Sequence, residues 1–234
     1  MATGTVHLIP APLHEEAVSG LPPAILEAVK TCSVFFVENE RTARRFLKKI
    51  WKEMVIDDYT WFTISDEPAL KQSFRQALKD GKTIGIISEA GCPGVADPGQ
   101  ALVAIAQEMK ALVKPIVGPN SILLALMASG MNGQQFRFAG YLPIDNGQRM
   151  KTLKDMEALS ARENSTQIFI ETPYRNNQLL EAICTACKPQ TKVCVAVDLT
   201  AATESILTRS VAEWKQTKPE LHKRPAIFLL YAGI

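Results

Sequence analysis

Apolar runs alternate with amphipathic stretches through the first half of the chain. Short runs rich in β-branched residues predict strands at 5–9, 33–37, 83–87 and 112–117. Apolar positions spaced three or four residues apart predict helices at 21–30, 40–51, 66–80, 102–109 and 121–127. Because strands and helices alternate, we expect an α/β fold with a largely parallel sheet covered by helices.

The second half of the chain has a different pattern, with more strands in succession. Strands are predicted at 135–139, 166–171, 192–199, 204–208 and 226–231. Helices are predicted at 147–161, 173–186 and 211–217. Several strands without an intervening helix favour a mixed sheet. We expect the boundary between the halves to lie within 118–133, which gives domains at 1–117 and 118–234.

Several predicted helices begin after a residue that can cap them. Such side chains accept hydrogen bonds from the free N–H groups of the first turn, and proline is favoured at the first helical position. The expected caps are Asp66, Asn146, Asp97 before Pro98, and Thr172 before Pro173.

Residues 88–99 form the most distinctive segment, S-E-A-G-C-P-G-V-A-D-P-G, directly after a buried strand. Three glycines and two prolines exclude a regular element and predict a shaped loop at the carboxyl end of the strand, where α/β proteins bind ligands. The spacing fits neither a dinucleotide nor a Walker phosphate loop. Glu89 and Asp97, without a lysine or arginine, favour a sulfonium or an amine. The alternative is a tight turn with two solvated carboxylates.

Composition and charge set limits on the function. The 234 residues are 47% hydrophobic and carry a formal net charge of +2, so any contact with nucleic acid must come from a local basic patch. The chain begins without a basic segment followed by an apolar one, and no apolar run is long enough to cross a bilayer. We expect a soluble, cytoplasmic protein.

The cysteines point to reduced thiols, because five are scattered along the chain without the rhythm of a disulfide scaffold. Cys184 and Cys187 form a C-x-x-C, but a zinc site needs two further ligands and the histidines lie far away in sequence. Both cysteines repeat with leucine and isoleucine at helical spacing, so we expect them to fill the core and expect no metal.

A basic stripe marks the helix predicted at 40–51. Its cations recur at helical spacing: Arg41, Arg45, Lys48 and Lys52, joined by Arg44 and Lys49. The stripe could hold an RNA backbone, because phosphate contacts supply most affinity that is independent of sequence. A solvated helix face is the competing interpretation.

Seven motifs, in order, resemble those of the ribosomal RNA small-subunit methyltransferase I family, the cytidine 2′-O-methyltransferases of the tetrapyrrole-methylase superfamily. The segment at 88–99, called the glycine loop below, resembles the family's S-D-A-G-T-P-G-x-S-D-P-G. The others are L-I-P-A-P at 8–12, V-E-N-E-R at 37–41, V-G-P-N-S at 117–121, A-G-Y-L-P at 139–143, E-T-P-Y-R at 171–175 and D-L-T at 198–200. Together they cover nearly the whole chain.

This resemblance implies a fold, a cofactor and partners. It implies two α/β domains, the first with a mostly parallel sheet and the second with a mixed sheet, with S-adenosylmethionine in the cleft between them. A homodimer and ribosomal RNA or the small ribosomal subunit as partner are also implied. The implied cofactor contacts are Pro10, Gly91, Cys92, Pro93, Gly94, Val95, Asp97 and Ser121.

Methylation of a ribose hydroxyl needs a base or a well-oriented hydrogen-bond acceptor, because the hydroxyl is a weak acid. Among carboxylates at strand exits we assign Glu89 and Glu171 as catalytic. Glu38, Arg41 and Arg175 are assigned to substrate binding. A structural alternative for Glu171 and Arg175 is an ion pair at a helix start.

Departures from the family pattern leave the acceptor open. They concern polar positions of the motifs: His14-Glu15 for G-N, Asn39-Glu40 within E-D-T-R, Glu89 and Cys92 for aspartate and threonine, Tyr174 for histidine, and Ala201 for lysine. Three functions therefore compete: methylation of a ribose 2′-hydroxyl in small-subunit ribosomal RNA, methylation of a tetrapyrrole-like or other small molecule, and cofactor binding without turnover.

Overall fold

Each half of the chain builds its own five-stranded sheet. The structure, a computed structural model, describes residues 3–217 and 219–233. The chain divides into two compact units, Met1–Asn120 and Ser121–Ile234. The division falls three residues after the boundary drawn from the sequence at 117/118. The units are called the first and the second unit below.

The first unit contains a wholly parallel sheet. Its strands are β1 (Thr5–Ile9), β2 (Val34–Val37), β3 (Thr60–Thr63), β4 (Thr83–Ile87) and β5 (Leu112–Pro115), in the order β3-β2-β4-β1-β5. Its helices are α1 (Ala24–Thr31), α2 (Glu40–Ile50), α3 (Pro68–Lys79) and α4 (Gln100–Glu108), with short 3-10 helices at Ala17–Gly20 and Ile56–Asp58. The predicted largely parallel sheet is confirmed.

Successive side chains of a strand face opposite sides of a sheet, and this alternation builds two cores in the first unit. Phe36 of β2 packs edge-on against Phe74 of α3, with ring centroids 5.0 Å apart. The preceding Phe35 joins the opposite core, which contains buried residues of α1 and α2. Helices therefore cover both faces of this sheet.

The second unit contains a mixed sheet. Its elements are α5 (Ser121–Ser129), β6 (Phe136–Tyr141), α6 (Asn146–Glu163), β7 (Thr166–Ile170), α7 (Asn176–Ala186), β8 (Lys192–Val197), β9 (Ser205–Ser210), α8 (Val211–Lys215) and β10 (Ala226–Tyr231). The strand order is β6-β7-β10-β8-β9, in which only β6 and β7 pair in parallel. The predicted mixed sheet is confirmed.

One strand escaped prediction. β3 lies at the edge of the sheet, and its half-buried Trp61 and Phe62 are flanked by the exposed Thr60 and Thr63, so it has no long apolar run. Its rings stack on β2, Trp61 on Phe35 with centroids 4.8 Å apart and Phe62 on Phe36 with centroids 4.7 Å apart. Contacts with the neighbouring strand, which a local pattern does not display, define this element.

The predicted caps were wrong at three helix starts. α3 begins at Pro68 after Glu67, so Asp66 does not cap it. α6 begins at Asn146 because Asp145, one residue earlier than expected, accepts a 2.8 Å hydrogen bond from the Gln148 N–H. α7 begins at Asn176 and not at Pro173, because residues 172–175 form a turn closed by the Arg175 N–H on the Thr172 carbonyl at 2.9 Å.

Candidate functional site

The loops that follow four strands of the first unit meet at the carboxyl edge of its sheet. The Glu38 N–H after β2 donates to the Ile87 carbonyl at the end of β4, at 3.1 Å. The Ile116 N–H after β5 donates to the Leu8 carbonyl of β1 at 3.0 Å. Parallel pairing thus places the motifs after β1, β2, β4 and β5 side by side, although they are up to a hundred residues apart in sequence.

Backbone pairing fixes the start of the loop at 88–99. Ala11 and Gly91 form an antiparallel bridge, with N–H···O distances of 2.9 and 3.0 Å. Gly91 has φ +74°, a conformation that glycine adopts without steric cost. The Ser88 hydroxyl donates to the Ala90 and Gly91 carbonyls at 3.3 Å. The loop is therefore held against the segment after β1.

Asp97 closes the middle of the loop. Its carboxylate accepts the Gly94 N–H on both oxygens at 2.9 Å and the Gly99 N–H on Oδ1 at 2.7 Å. Burial raises the pKa of Asp97, opposed by these hydrogen bonds and assisted by the negative charge of Glu38. α4 begins only at Gln100, so the predicted helix cap by Asp97 before Pro98 was wrong. The carboxylate shapes the loop instead.

Cys92 and Gly118 tie the loop to the segment after β5. The Cys92 thiol donates to the Pro119 carbonyl at 3.3 Å, and burial raises the pKa of this thiol. Gly118 packs against Pro10, since a Cβ atom at position 118 would lie only 2.2 Å from Pro10 Cβ. The segments after β1 and β5 therefore approach each other at a position that only glycine permits.

The two acidic residues at the strand exits are linked to each other. Glu38 Oε2 accepts the backbone N–H of Glu89 at 2.9 Å, so Glu38 helps to hold the loop. Glu89 itself is exposed. One carboxylate thus has a positioning contact, and the other faces outward from the edge where a substrate would approach.

The residues of this loop fit a cationic ligand. Residues 88–99 contain no lysine or arginine, and they include two carboxylates. A Cβ atom at Gly94, which has φ +85°, would meet no atom within 4 Å, so the backbone here borders open space. Pro93 is buried and Val95 is exposed. An acidic, narrow backbone surface next to open space suits a sulfonium ion.

Most predicted cofactor residues lie together in the first unit. These are Pro10, Gly91, Cys92, Pro93, Gly94, Val95 and Asp97. Ser121 is the first residue of α5 and belongs to the second unit. The assignment of these residues to the cofactor stays a prediction.

Buried Glu171 pairs with half-buried Arg175 in the second unit. The Glu171 side chain is 1% exposed, and its Oε1 accepts from Arg175 Nη2 and from the Thr172 N–H, each at 2.6 Å. The pair therefore has a structural role in the turn before α7, as the alternative interpretation expected. A catalytic role for Glu171 and a substrate role for Arg175 stay predictions.

The basic face of α2 is partly neutralised. Arg44 pairs with Glu40 on the same helix. Lys48 donates to backbone carbonyls after the helix, including that of Met54 at 2.9 Å, and so holds the segment that follows α2. Arg41 is exposed near the helix start. The predicted stripe therefore divides into cations with structural partners and cations that face solvent.

Sequence reasoning missed the partner of two further cations. Glu15, after β1, pairs with Arg45 at 3.0 Å and with Lys49 at 3.8 Å. The departure of His14-Glu15 from the family pattern was visible in the sequence. The contact of Glu15 with α2, thirty residues later, was not visible in the sequence.

Other features carry no candidate chemistry. Cys187 is buried in the core of the second unit, and Cys184 packs against that core. Among the described residues, no group of histidine, cysteine, aspartate and glutamate side chains could hold a metal ion. No helix within 3–217 or 219–233 has the length and apolar character needed to cross a membrane.

Comparisons with known proteins show which family this chain resembles. Residues 17–214 match the tetrapyrrole (corrin/porphyrin) methylases. A ribosomal RNA small subunit methyltransferase I from Mesorhizobium japonicum is 39% identical over 132 residues, which are 56% of this chain and 44% of that protein. A protein of the same name from Xylella fastidiosa is 27% identical over 209 residues, 89% of this chain and 73% of that protein.

The chain thus matches less than half of the first relative and about three quarters of the second. Among solved structures, the methyltransferase CobJ superimposes with a TM-score of 0.63 at 17% identity, covering 99% of this chain and 94% of that one. This likeness supports the fold, and the matched span of 17–214 includes both units. The chain belongs to the tetrapyrrole (corrin/porphyrin) methylases.

Proposed function

We propose that this protein is an S-adenosylmethionine-dependent methyltransferase that methylates a ribose 2′-hydroxyl of small-subunit ribosomal RNA. Family membership supports methyl transfer, and the names of the curated relatives support the RNA acceptor. The observation that carries the proposal is the acidic loop at 88–99, which pairs with Ala11, is closed by Asp97 and bonds through Cys92 to Pro119 at the carboxyl edge of the sheet.

When bound, S-adenosylmethionine supplies an electrophilic methyl group on a positively charged sulfur. The backbone of Gly91–Val95 would hold this group, since no bulky side chain blocks its approach and two carboxylates favour its charge. Pro10, after β1 in the same unit, would add a further contact. The loop's own hydrogen bonds fix its shape in advance, so little conformational freedom is lost when the reactants are aligned.

The acceptor hydroxyl must lose its proton as the new C–O bond forms. Glu89 is proposed as the acceptor-facing base, because its carboxylate is exposed while its backbone N–H is held by Glu38. Glu171 is the second catalytic candidate, with Arg175 orienting it. Arg41, at the exposed start of α2, would contact the RNA backbone, and Glu38 would act by positioning the substrate side of the loop.

The experiment is transfer of a labelled methyl group to small ribosomal subunits from cells that lack this gene. We expect the wild type to label ribosomal RNA. Glu89→Gln and Glu171→Gln should each reduce turnover by about 100-fold or more, the range of general-base catalysis, with S-adenosylhomocysteine affinity retained. Glu53→Gln, an exposed glutamate after α2, is the matched control.

Thermal unfolding of each variant separates catalysis from folding, since Glu171 is buried. Unchanged turnover in both Glu89→Gln and Glu171→Gln would refute the assignment of the base. If ribosomal RNA stays unlabelled although the protein binds S-adenosylhomocysteine, the proposal that this RNA is the acceptor is refuted.

A small-molecule acceptor is the second candidate, and the altered acceptor-side residues favour it. Tyr174, where the family has histidine, is 66% exposed next to His222, with ring centroids 5.8 Å apart. An aromatic surface of this kind suits a planar heterocycle as well as a nucleobase of RNA. Methyl transfer to a heterocycle that is independent of salt would select this function.

A homodimer and a cytoplasmic location complete the proposal. Leu123 and Met127, one helical turn apart on α5, are 48% and 78% exposed, and together they form an apolar face suited to contact with a second copy. Sedimentation at equilibrium tests the dimer, and a monomer at micromolar concentration would contradict it.

A further inference from the structure

A cavity of about 290 Å³ lies within the first unit, beside the glycine loop. It opens between the start of α2 and the segments after β1 and β4. Its apolar wall consists of Ala11, Leu13, Val18, Ala43, Phe46 and Ile87. Ser88, Glu89 and Ala90 of the loop form another wall. The cavity therefore adjoins the proposed methyl-donor site without belonging to the contacts assigned above.

Two cations stand at the rim of this cavity. Arg45 and Lys49, one helical turn apart on α2, both line it. One oxygen of Glu15 lies 3.0 Å from Arg45 Nη2 and 3.8 Å from Lys49 Nζ, and Lys49 also donates to the Glu15 carbonyl at 3.0 Å. A single anionic oxygen thus occupies the space between two cations, above an apolar pocket.

We propose that this cavity binds one nucleotide of single-stranded RNA, with the base on the apolar wall and its phosphate between Arg45 and Lys49 in place of the Glu15 carboxylate. The inference rests on the proposed function and names where the RNA would be held. A phosphodiester carries the same single charge as the carboxylate that it displaces. Base and phosphate recognition therefore use the cavity and its rim together.

The Glu15 ion pair is easily exchanged. Its side chain is 67% exposed, and the two cations are about half exposed, so the pair is weak and screened by salt. Burial of a base on the apolar wall, next to Phe46, adds affinity that the carboxylate lacks. Glu15 therefore acts as a built-in competitor that lowers RNA affinity until the base and phosphate enter together.

The position of the cavity also suits methyl transfer to a ribose hydroxyl. Glu89 belongs to the loop and lines the cavity. A nucleotide with its base in the cavity places its ribose beside this carboxylate, which we propose as the base. The cavity would thus select and orient the acceptor nucleotide, and the cations would not merely hold the RNA.

The first test measures binding of a short fluorescein-labelled single-stranded RNA to the full chain by anisotropy. We expect Arg45→Ala and Lys49→Ala each to weaken binding several-fold and to lower the slope of log affinity against log salt by about 0.7, the value for one phosphate contact on a single strand. Glu15→Gln should tighten binding several-fold. The matched controls are Arg75→Ala and Glu108→Gln, an exposed pair at 2.9 Å on α3 and α4, which should change nothing.

A second variant tests the base pocket separately from the charges. Val18→Trp fills the cavity from the short 3-10 helix without altering a charge. It should weaken RNA binding by roughly tenfold, the effect of one lost base-stacking contact, and leave the salt slope unchanged. Binding of S-adenosylhomocysteine by calorimetry confirms that each variant is folded.

Methyl transfer to ribosomal RNA by the same preparations separates this inference from the proposed function. If the wild type methylates RNA while all cavity variants bind RNA as the controls do, the cavity inference is overturned and the function stands. If RNA binding responds as expected but no methyl group is transferred, the cavity inference stands and the function falls.

Discussion

Replacement of Gly118 by alanine should disrupt the loop at 88–99 from a distance. The added Cβ atom would lie 2.2 Å from Pro10 Cβ and 2.4 Å from Pro10 Cγ, whereas carbon atoms in contact stay about 3.5–4.0 Å apart. Pro10 must therefore shift by more than an ångström. Its neighbour Ala11 pairs with Gly91, so the shift passes into the loop.

The magnitude follows from overpacking, which costs about 1–3 kcal/mol. For a chain of this size each kcal/mol lowers the melting temperature by about 2–4 °C, so Gly118→Ala should melt roughly 2–12 °C lower. Calorimetry should also show weaker S-adenosylhomocysteine binding, because the loop loses its preset shape.

The control for this prediction is Gly20→Ala, because no atom lies within 4 Å of a Cβ at that position. A double-mutant cycle with Pro10→Gly, which removes the opposing Cβ and Cγ atoms, should recover part of the loss. The reasoning would be refuted if Gly118→Ala matched Gly20→Ala in both melting temperature and ligand affinity.

Four further predictions concern the loop at 88–99, the central strand and the thiols. Asp97→Ala should weaken S-adenosylhomocysteine binding more than Asp97→Asn, which keeps one acceptor oxygen for the loop N–H groups; equal losses would contradict the shaping role. Burial raises the pKa of Asp97 above its ordinary value of 3.8. Protonation of Asp97 therefore stabilises the folded state fully below pH 3.8, and this contribution is lost as the pH rises through the folded-state pKa. Asp97→Asn should remove this pH dependence from the free energy of unfolding measured in urea, and an unchanged pH profile would contradict the assignment. Gly85→Ala should destabilise by about 1–3 kcal/mol in urea titrations, because the new Cβ would lie 2.7 Å from the Phe35 ring, and a neutral result would show that the ring can move. Burial raises the pKa of Cys32 and Cys187 to about 12, so both thiols should resist a thiol reagent at pH 8 until urea unfolds the chain; fast labelling of either would contradict the packing.

Local patterns were sufficient where a segment is buried on both faces. The prediction at 83–87 coincides with β4, the central strand of its sheet, because a continuous apolar run has few alternatives in a parallel sheet. The edge strand β3 escaped, since its rings are stabilised by β2 and half its side chains face solvent. Strands that depend on contacts with neighbouring strands can be identified only from the tertiary structure.

The candidate site divides in the same way. The glycines and prolines of 88–99 were sufficient to predict a shaped loop after β4, because they restrict the backbone locally. The role of Asp97 was misjudged, since the Asp-Pro order suggests a cap while the carboxylate bonds back to Gly94. Contacts between distant segments, such as Glu15 with Arg45, were beyond any local rule.

The most direct test of the central claim is mass spectrometry of nucleosides from small-subunit ribosomal RNA after incubation with the protein and S-adenosylmethionine. Subunits from cells lacking the gene provide the unmethylated substrate, and omission of the protein provides the baseline. We expect a new 2′-O-methylated nucleoside that appears only when the protein is present. A nucleoside profile identical to the baseline, from protein that binds S-adenosylhomocysteine, would contradict it.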